Sequence, residues 1–197
     1  MAAKRRAETM EENRAKLIAA ARTAFAEKGF AAASMDELTS SVGLTRGALY
    51  HNFGDKKGLL AAVVAQVDGE MAQRAKAAAS GVADEWEKLV AEGIAYIQLA
   101  MEAEVQRIVL RDGPAFLGDP AHWPSQNSCL AATRETIVKL IESGTIKPVD
   151  ADAAAHLLNS AALNAALWVG SSRDPEKALP KMIEVFIQLT GGLRQSD

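Results

Sequence analysis

Cysteine, clustered histidine and glycine-rich loops are scarce or missing in this chain, and each absence excludes something. The 197 residues hold one cysteine, Cys129, so no internal disulfide can form and a reducing compartment is expected. The three histidines lie far apart, and no HExxH, GxSxG, phosphate-binding glycine loop or cysteine pair occurs. No catalytic residue, metal site or cofactor is therefore expected, and Cys129 reads as a packed thiol. Aromatics are only 5% of the chain. The opening MAAKRRAETMEEN lacks an apolar core, so no signal peptide is expected there and the chain reads as soluble and cytoplasmic. Residues 153–172 run without an acid, Lys or Arg, which is the length of a membrane span. His156, Asn159, Ser160, Asn164, Ser171 and Ser172 punctuate that run, and Leu157, Ala161, Ala165 and Trp168 recur at helical spacing. A helix buried inside a protein, or between two protomers, is expected there rather than a lipid-facing one.

What is present favours helix. Hydrophobic residues make up 49% and charged residues 24%, an ordinary globular mixture rich in alanine. No alternating β pattern and no repeat is found. The net charge of −3 hides an asymmetry: residues 1–60 carry ten Lys and Arg against seven acids, whereas residues 61–197 carry twelve against eighteen. A small basic module on an acidic body is expected.

Periodicity and caps give about nine helices. Leu17, Ile18, Ala21, Ala24 and Phe25 mark a helix over 10–28 that stops at Gly29. Ser34 to Glu37 reads as a capping box opening a short helix to about 42. Gly43 breaks it, Thr45 caps a second short helix over 46–52, and Asp55 caps a long one over 56–79. Further helices are expected over 86–101, 104–110, 125–143, 151–171 and 176–190, with breaks at Asp112-Gly113-Pro114 and around Pro120 and Pro124. Two short helices about a three-residue turn form a helix-turn-helix, whose second helix fits a DNA major groove.

AKLIAAARTAFAEKGFAAASMDELTSSVGLTRGALYHNFGDKKGLL, residues 15–60, resembles the DNA-binding domain of the tetracycline-repressor (TetR) family of bacterial transcriptional regulators. The resemblance is carried by Ile18, Ala21, Phe25, Gly29 and Phe30, then by Asp36-Glu37-Leu38 and Gly43-Leu44-Thr45. Gly47-Ala48-Leu49-Tyr50, Phe53, Lys56 and Leu59 complete it. QRIVLRDGPAFLG, residues 106–118, also looks like a phrase recurring in some members. The resemblance implies an all-α chain in two parts. Residues 1–55 form a three-helix DNA-binding domain, with 1–9 as a disordered basic tail. Residues 56–197 form a helical effector-binding and dimerisation domain. It implies a cytoplasmic, nucleoid-associated homodimer on a pseudo-palindromic operator, released as a repressor by a small molecule and not bound to membranes. An effector-independent DNA-bound scaffold working through a protein partner, and a helical module that never meets DNA, are the rival readings.

By position in the motif, Thr45 caps the recognition helix and meets a phosphate. Arg46 reads a guanine or sits on a phosphate. Gly47 lets backbone approach the groove, and Ala48 meets a thymine methyl. Tyr50 and His51 contact phosphate or base, unless Tyr50 covers the core and His51 is merely solvated. Lys56 meets a phosphate at a helix start. Ser34 and Thr39 are further phosphate candidates. Lys4, Arg5 and Arg6 are either a solvated tail or a minor-groove arm, and Lys57 is solvated. Aromatic and polar residues of the body are candidates for an effector pocket: Trp86, Tyr96, Met101, Arg107, Arg111, Phe116, His122, Trp123, Asn127, Asn159, Asn164 and Trp168. Dimerisation is expected through the last two helices, with Leu157, Ala161, Ala165, Trp168, Met182 and Phe186 at the interface.

Overall fold

The computed structural model describes residues 2–195, with side chains from residue 7. Nine helices build the described residues. They are α1 (Ala2–Lys28), α2 (Met35–Ser41), α3 (Arg46–Phe53), α4 (Lys56–Ala78), α5 (Glu85–Gln98), α6 (a composite run over 103–117), α7 (Pro124–Glu142), α8 (Ala151–Ser171) and α9 (Pro175–Gly191). One isolated bridge between Ile146 and Arg194 is the only β pairing among the described residues.

Side-chain caps start these helices, Asp84 being one that the sequence reading did not name. Thr45, Asp55, Asp84 and Asp150 each accept from the amide three residues on, which satisfies a donor the first turn leaves free. Ser34 does the same for Glu37, but Glu37 does not reach back. Its carboxylate pairs with Lys28 at 2.8 Å, so the expected box is half formed. Gly43 has φ +68°, the left-handed turn that joins α2 to α3.

Two expectations are corrected. α1 begins at Ala2, so the stretch 2–9, expected to be a disordered tail, is helical; its Ala, Arg, Lys and Glu are good helix formers. Met1 lies outside the described residues. Asp112-Gly113-Pro114 does not interrupt α6. An α-turn Ala103–Val105 passes into a π-helical stretch Gln106–Asp112 and then into the α-segment Gly113–Leu117. Pro114 falls in the first turn of that last segment, where a missing N–H costs no hydrogen bond.

The head, α1 to α3, buries Leu17, Ala21, Phe25, Leu38 and Leu49 against Leu59, Leu60 and Val63 from the first turns of α4. The division at 55/56 therefore does not separate two cores. The same apolar cluster continues through Val105, Ile108 and Val109 of α6 to Val169 of α8 and Phe186 of α9. A smaller cluster of Trp86, Ile137, Leu140, Ile146 and Ala154 closes the far end. Each such large side chain is worth roughly 1.5–3 kcal/mol when fully buried.

Candidate nucleic-acid interface and ligand cavity

α3 is held by the buried Leu49 with Ala48, Asn52 and Phe53 half-buried, and leaves its remaining surface to solvent. Thr45, Arg46, Gly47, Tyr50 and His51 are exposed, Tyr50 to 52%, while Ala48 is half-buried. Tyr50 therefore does not cover the head's core. Phe53 is half-buried, with the Arg14 guanidinium 5.1 Å from its ring centroid. Arg46 donates to Asp36 Oδ2 at 2.8 Å, which holds the guanidinium beside the start of α3.

Lys56 stands at the start of α4, where the helix dipole favours an anion. Its Nζ donates to the Ala31 carbonyl at 3.3 Å and lies 4.7 Å from the Phe30 ring centroid. Partial burial holds its ammonium below the ordinary lysine pKa. Thr39 is buried, and its hydroxyl donates to the Met35 and Asp36 carbonyls, so it is withdrawn from any phosphate. Ser34, half-buried, is engaged as the cap of α2.

Between α4, α5, α7, α8 and α9 lies a cavity of about 750 Å³. Its apolar wall comes from Trp86, Leu89, Val90, Leu158, Ala162 and Phe186. Its polar groups include Tyr96, Ser125, Gln126, Cys129, Thr133 and Asn159, and Lys76, Glu85, Lys88 and Glu92 are its charged lining. Behind them Asp68 is buried, with its two oxygens accepting from Tyr96 Oη at 2.8 Å and Gln126 Nε2 at 3.0 Å. Burial and the Asp68 charge push the Tyr96 hydroxyl well above the usual tyrosine range, so it stays protonated. Burial, with Asp68 and Glu92 adding, also raises the Cys129 thiol. Burial raises the Glu92 carboxyl. Thr133 donates to Asn159 Oδ1 at 2.9 Å. Asn159 Nδ2 and Ser125 Oγ are buried and have no hydrogen-bond partner among the described residues.

Of the expected pocket residues, Trp86, Tyr96 and Asn159 line this cavity. Met101 packs against the main core. Arg107 turns to the end of α1, where it donates to the Lys28 carbonyl. Phe116 packs against Phe30 with the rings tilted by 48° and their centroids 4.5 Å apart. Arg111, His122 and Asn127 are exposed, and Trp123 is buried against Gly113. Trp168 and Asn164 line a separate shallow groove on α8 and α9. Sequence reasoning missed Ser125, Gln126, Cys129 and Thr133, although their helical spacing on α7 forms a polar stripe that continues, toward the start of the helix, the face of the buried Ile137 and Leu140.

The shallow groove is lined by Ala161, Ala165, Trp168, Met182 and Phe186 with Val185 and Leu189. Leu157 is 73% exposed, Leu189 68% and Trp168 51%. Phe186 is itself buried, because its ring lies against Gly93 of α5; a Cβ on Gly93 would stand 2.6 Å from Phe186 Cζ. Among the described residues no helix is long and apolar enough to cross a membrane.

Residues 86–193 match a family described as tetracyclin repressor-like, C-terminal domain, and residues 17–63 match one described as bacterial regulatory proteins, tetR family. The chain is 43% identical to a TetR-family transcriptional regulator from Pectobacterium atrosepticum of known crystal structure. That match covers 96% of this chain and 97% of the other, with a TM-score of 0.85. It is 27% identical over 136 residues to the HTH-type transcriptional repressor AcnR of Corynebacterium efficiens, covering 68% of this chain and 69% of AcnR. RolR, crystallised in complex with resorcinol, shares the fold at 19% identity and a TM-score of 0.69, covering 96% of this chain and 98% of RolR.

Proposed function

The chain belongs to the tetR family of bacterial regulatory proteins, and from that premise we propose that it is a homodimeric repressor released from its operator by a small molecule. As a member of that family it is a DNA-binding transcriptional regulator and not an enzyme. It works in the cytoplasm, on the nucleoid. The observation that carries the reading is the exposed surface of α3, with Thr45, Arg46, Gly47, Ala48, Tyr50 and His51 beside Lys56. Residues 1–55, completed by the first turns of α4, are the DNA-binding part; the remainder holds the effector and the dimer contact. Thr45 and Lys56 meet phosphates, and Arg46, Tyr50 and His51 divide base and phosphate contacts. Leu157, Trp168, Val185 and Leu189 supply the apolar face on which a second copy packs.

The effector is an uncharged, largely apolar molecule with an oxygen that accepts from Asn159 Nδ2. A cavity of about 750 Å³ suits a small ligand, and its lining sets Lys76 and Lys88 against Glu85 and Glu92, so it favours neither sign of charge. Resorcinol bound to RolR, a protein of the same fold, supports a small-molecule site in such a body. A scaffold indifferent to small molecules has no use for this cavity, which favours the responsive reading.

Binding of the full chain to the DNA flanking its own coding sequence tests the regulator, with an unrelated duplex as control, between about 50 and 200 mM salt. Preference for the flanking duplex is expected, with a log–log salt slope that counts phosphate contacts. Undiminished affinity in a double variant, Arg46→Ala with Tyr50→Ala, would overturn the site assignment.

A further inference from the structure

Arg107 and Asp112 stand five residues apart in the π-helical stretch of α6. A π-helix closes its hydrogen bonds from i to i+5, so this spacing stacks the two side chains. In an α-helix the same spacing would turn them about 140° apart. Arg107 Nε lies 3.7 Å from Asp112 Oδ2, and both side chains meet the turn that follows α1. Asp112 Oδ2 accepts from the Phe30 amide at 2.7 Å, and Arg107 Nη2 donates to the Lys28 carbonyl at 3.1 Å. Gly29 leaves room for this, since a Cβ there would stand 2.0 Å from Arg107 Nη2. The Asp112 carboxylate is buried, so its bond to Phe30 is protected from water.

The stretch is also in touch with the cavity. Its last residue is followed by Gly113, which the Trp123 ring covers; a Cβ on Gly113 would stand 2.6 Å from Trp123 Cη2. Trp123 is the residue before α7, and Pro124, Ser125 and Gln126 immediately after it line the cavity. A continuous series of contacts thus leads from the cavity wall through Trp123, Gly113 and Asp112 to the Phe30 amide in the head.

We propose that the π-helical stretch couples the cavity to the DNA-binding head, with Asp112 as its positioning residue. A molecule that displaces the start of α7 drives Trp123 against Gly113, and the stretch relaxes toward the α register. That parts Asp112 from Arg107 and frees the Phe30 amide, so the turn at 28–30 no longer fixes the head on the body. The route runs beside α4 and independently of it, and it rests on the ligand-responsive reading above.

Cys129, the chain's single cysteine, lines the cavity and offers a covalent occupant without knowledge of the effector. The full chain is alkylated with monobromobimane at alkaline pH. Amide hydrogen exchange over residues 29–33 and affinity for operator DNA are then compared before and after labelling. In the wild type, labelling is expected to speed exchange at 29–33 and to weaken DNA binding, each on the order of tenfold. Asp112→Asn keeps an oxygen for the Phe30 amide and retains the response. Asp112→Ala exchanges fast from the outset and gains nothing on labelling. Trp123→Leu cuts the path at its other end and abolishes the response, which keeps the decision open if Asp112→Ala does not fold. Exchange at 29–33 unchanged by stoichiometric labelling of the wild type overturns the proposal, and so does a response in the two path-cutting variants as large as that of the wild type. Failure of the unlabelled wild type to bind any DNA sinks the regulator reading instead, and the exchange measurement still decides the coupling.

Discussion

Tyr96 of α5 donates its hydroxyl proton to Asp68 of α4 at 2.8 Å, at the edge of the cavity and away from solvent. Only one other donor, Gln126 Nε2 from α7, reaches that carboxylate among the described residues. Three helices are thus tied at one buried charge.

Tyr96→Phe changes almost no volume yet leaves Asp68 with a single partner. A buried acceptor stripped of its donor costs about 1–3 kcal/mol. A lower urea midpoint whose shift, multiplied by an unchanged slope of the transition, matches that loss is the expected result. An unchanged midpoint would mean that Asp68 is hydrated through the cavity.

Acid unfolding is expected to track two arginines. Arg22 bonds Glu70 at 2.8 Å and Glu104 at 2.7 Å, and Arg74 bonds Glu102. The hydrogen bond to Arg22 holds the Glu70 carboxyl below its ordinary pKa, and that to Arg74 does the same for Glu102. A carboxyl whose pKa is lower folded than unfolded adds stability above the unfolded value, about 4.3. That stability is lost as pH falls through the folded value. Urea midpoints measured from about pH 7 to about pH 3 should therefore drop, and Arg22→Gln should make the drop shallower. These side chains are partly exposed, so the effect is modest and weakens with salt.

Lys56→Met keeps the apolar stem over Phe30 and removes the charge. Affinity for DNA should fall without loss of sequence preference. The log–log salt slope should decrease by about 0.9 for each phosphate contact removed. A slope that stays put would remove Lys56 from the interface.

Leu157→Glu with Leu189→Arg puts charges on two side chains that are exposed in the single chain. Sedimentation equilibrium should find monomer in place of dimer, with the helical circular dichroism kept. Persistence of the dimer would move the contact away from α8 and α9.

The caps and the head were legible because their causes are local. Ser34, Thr45, Asp55 and Asp150 each act on an amide three residues away, and Leu17, Ala21 and Phe25 share a face at a fixed period. The cavity was legible only at Trp86, Tyr96 and Asn159, because a void is whatever five helices fail to fill together. Arg107 read as a pocket residue since a 3.6-residue period says nothing of its partner at i+5. The π register that joins Arg107 to Asp112 exists only in the packed chain. The helical start of α1 was missed for a different reason. Residues 2–9 offer no apolar stripe to read, only helix-favouring composition.

The apolar cluster that passes without a break from Leu17 to Phe186 makes the head a poor candidate for transplantation. A chimera that cuts at residue 55 takes away Leu59, Leu60 and Val63, and exposes Phe30 where Phe116 had covered it. Domain exchange among such regulators would have to carry α4 and the Phe116 end of α6 along with the DNA-reading helices. The chain should also melt in one cooperative transition rather than as a head and a body.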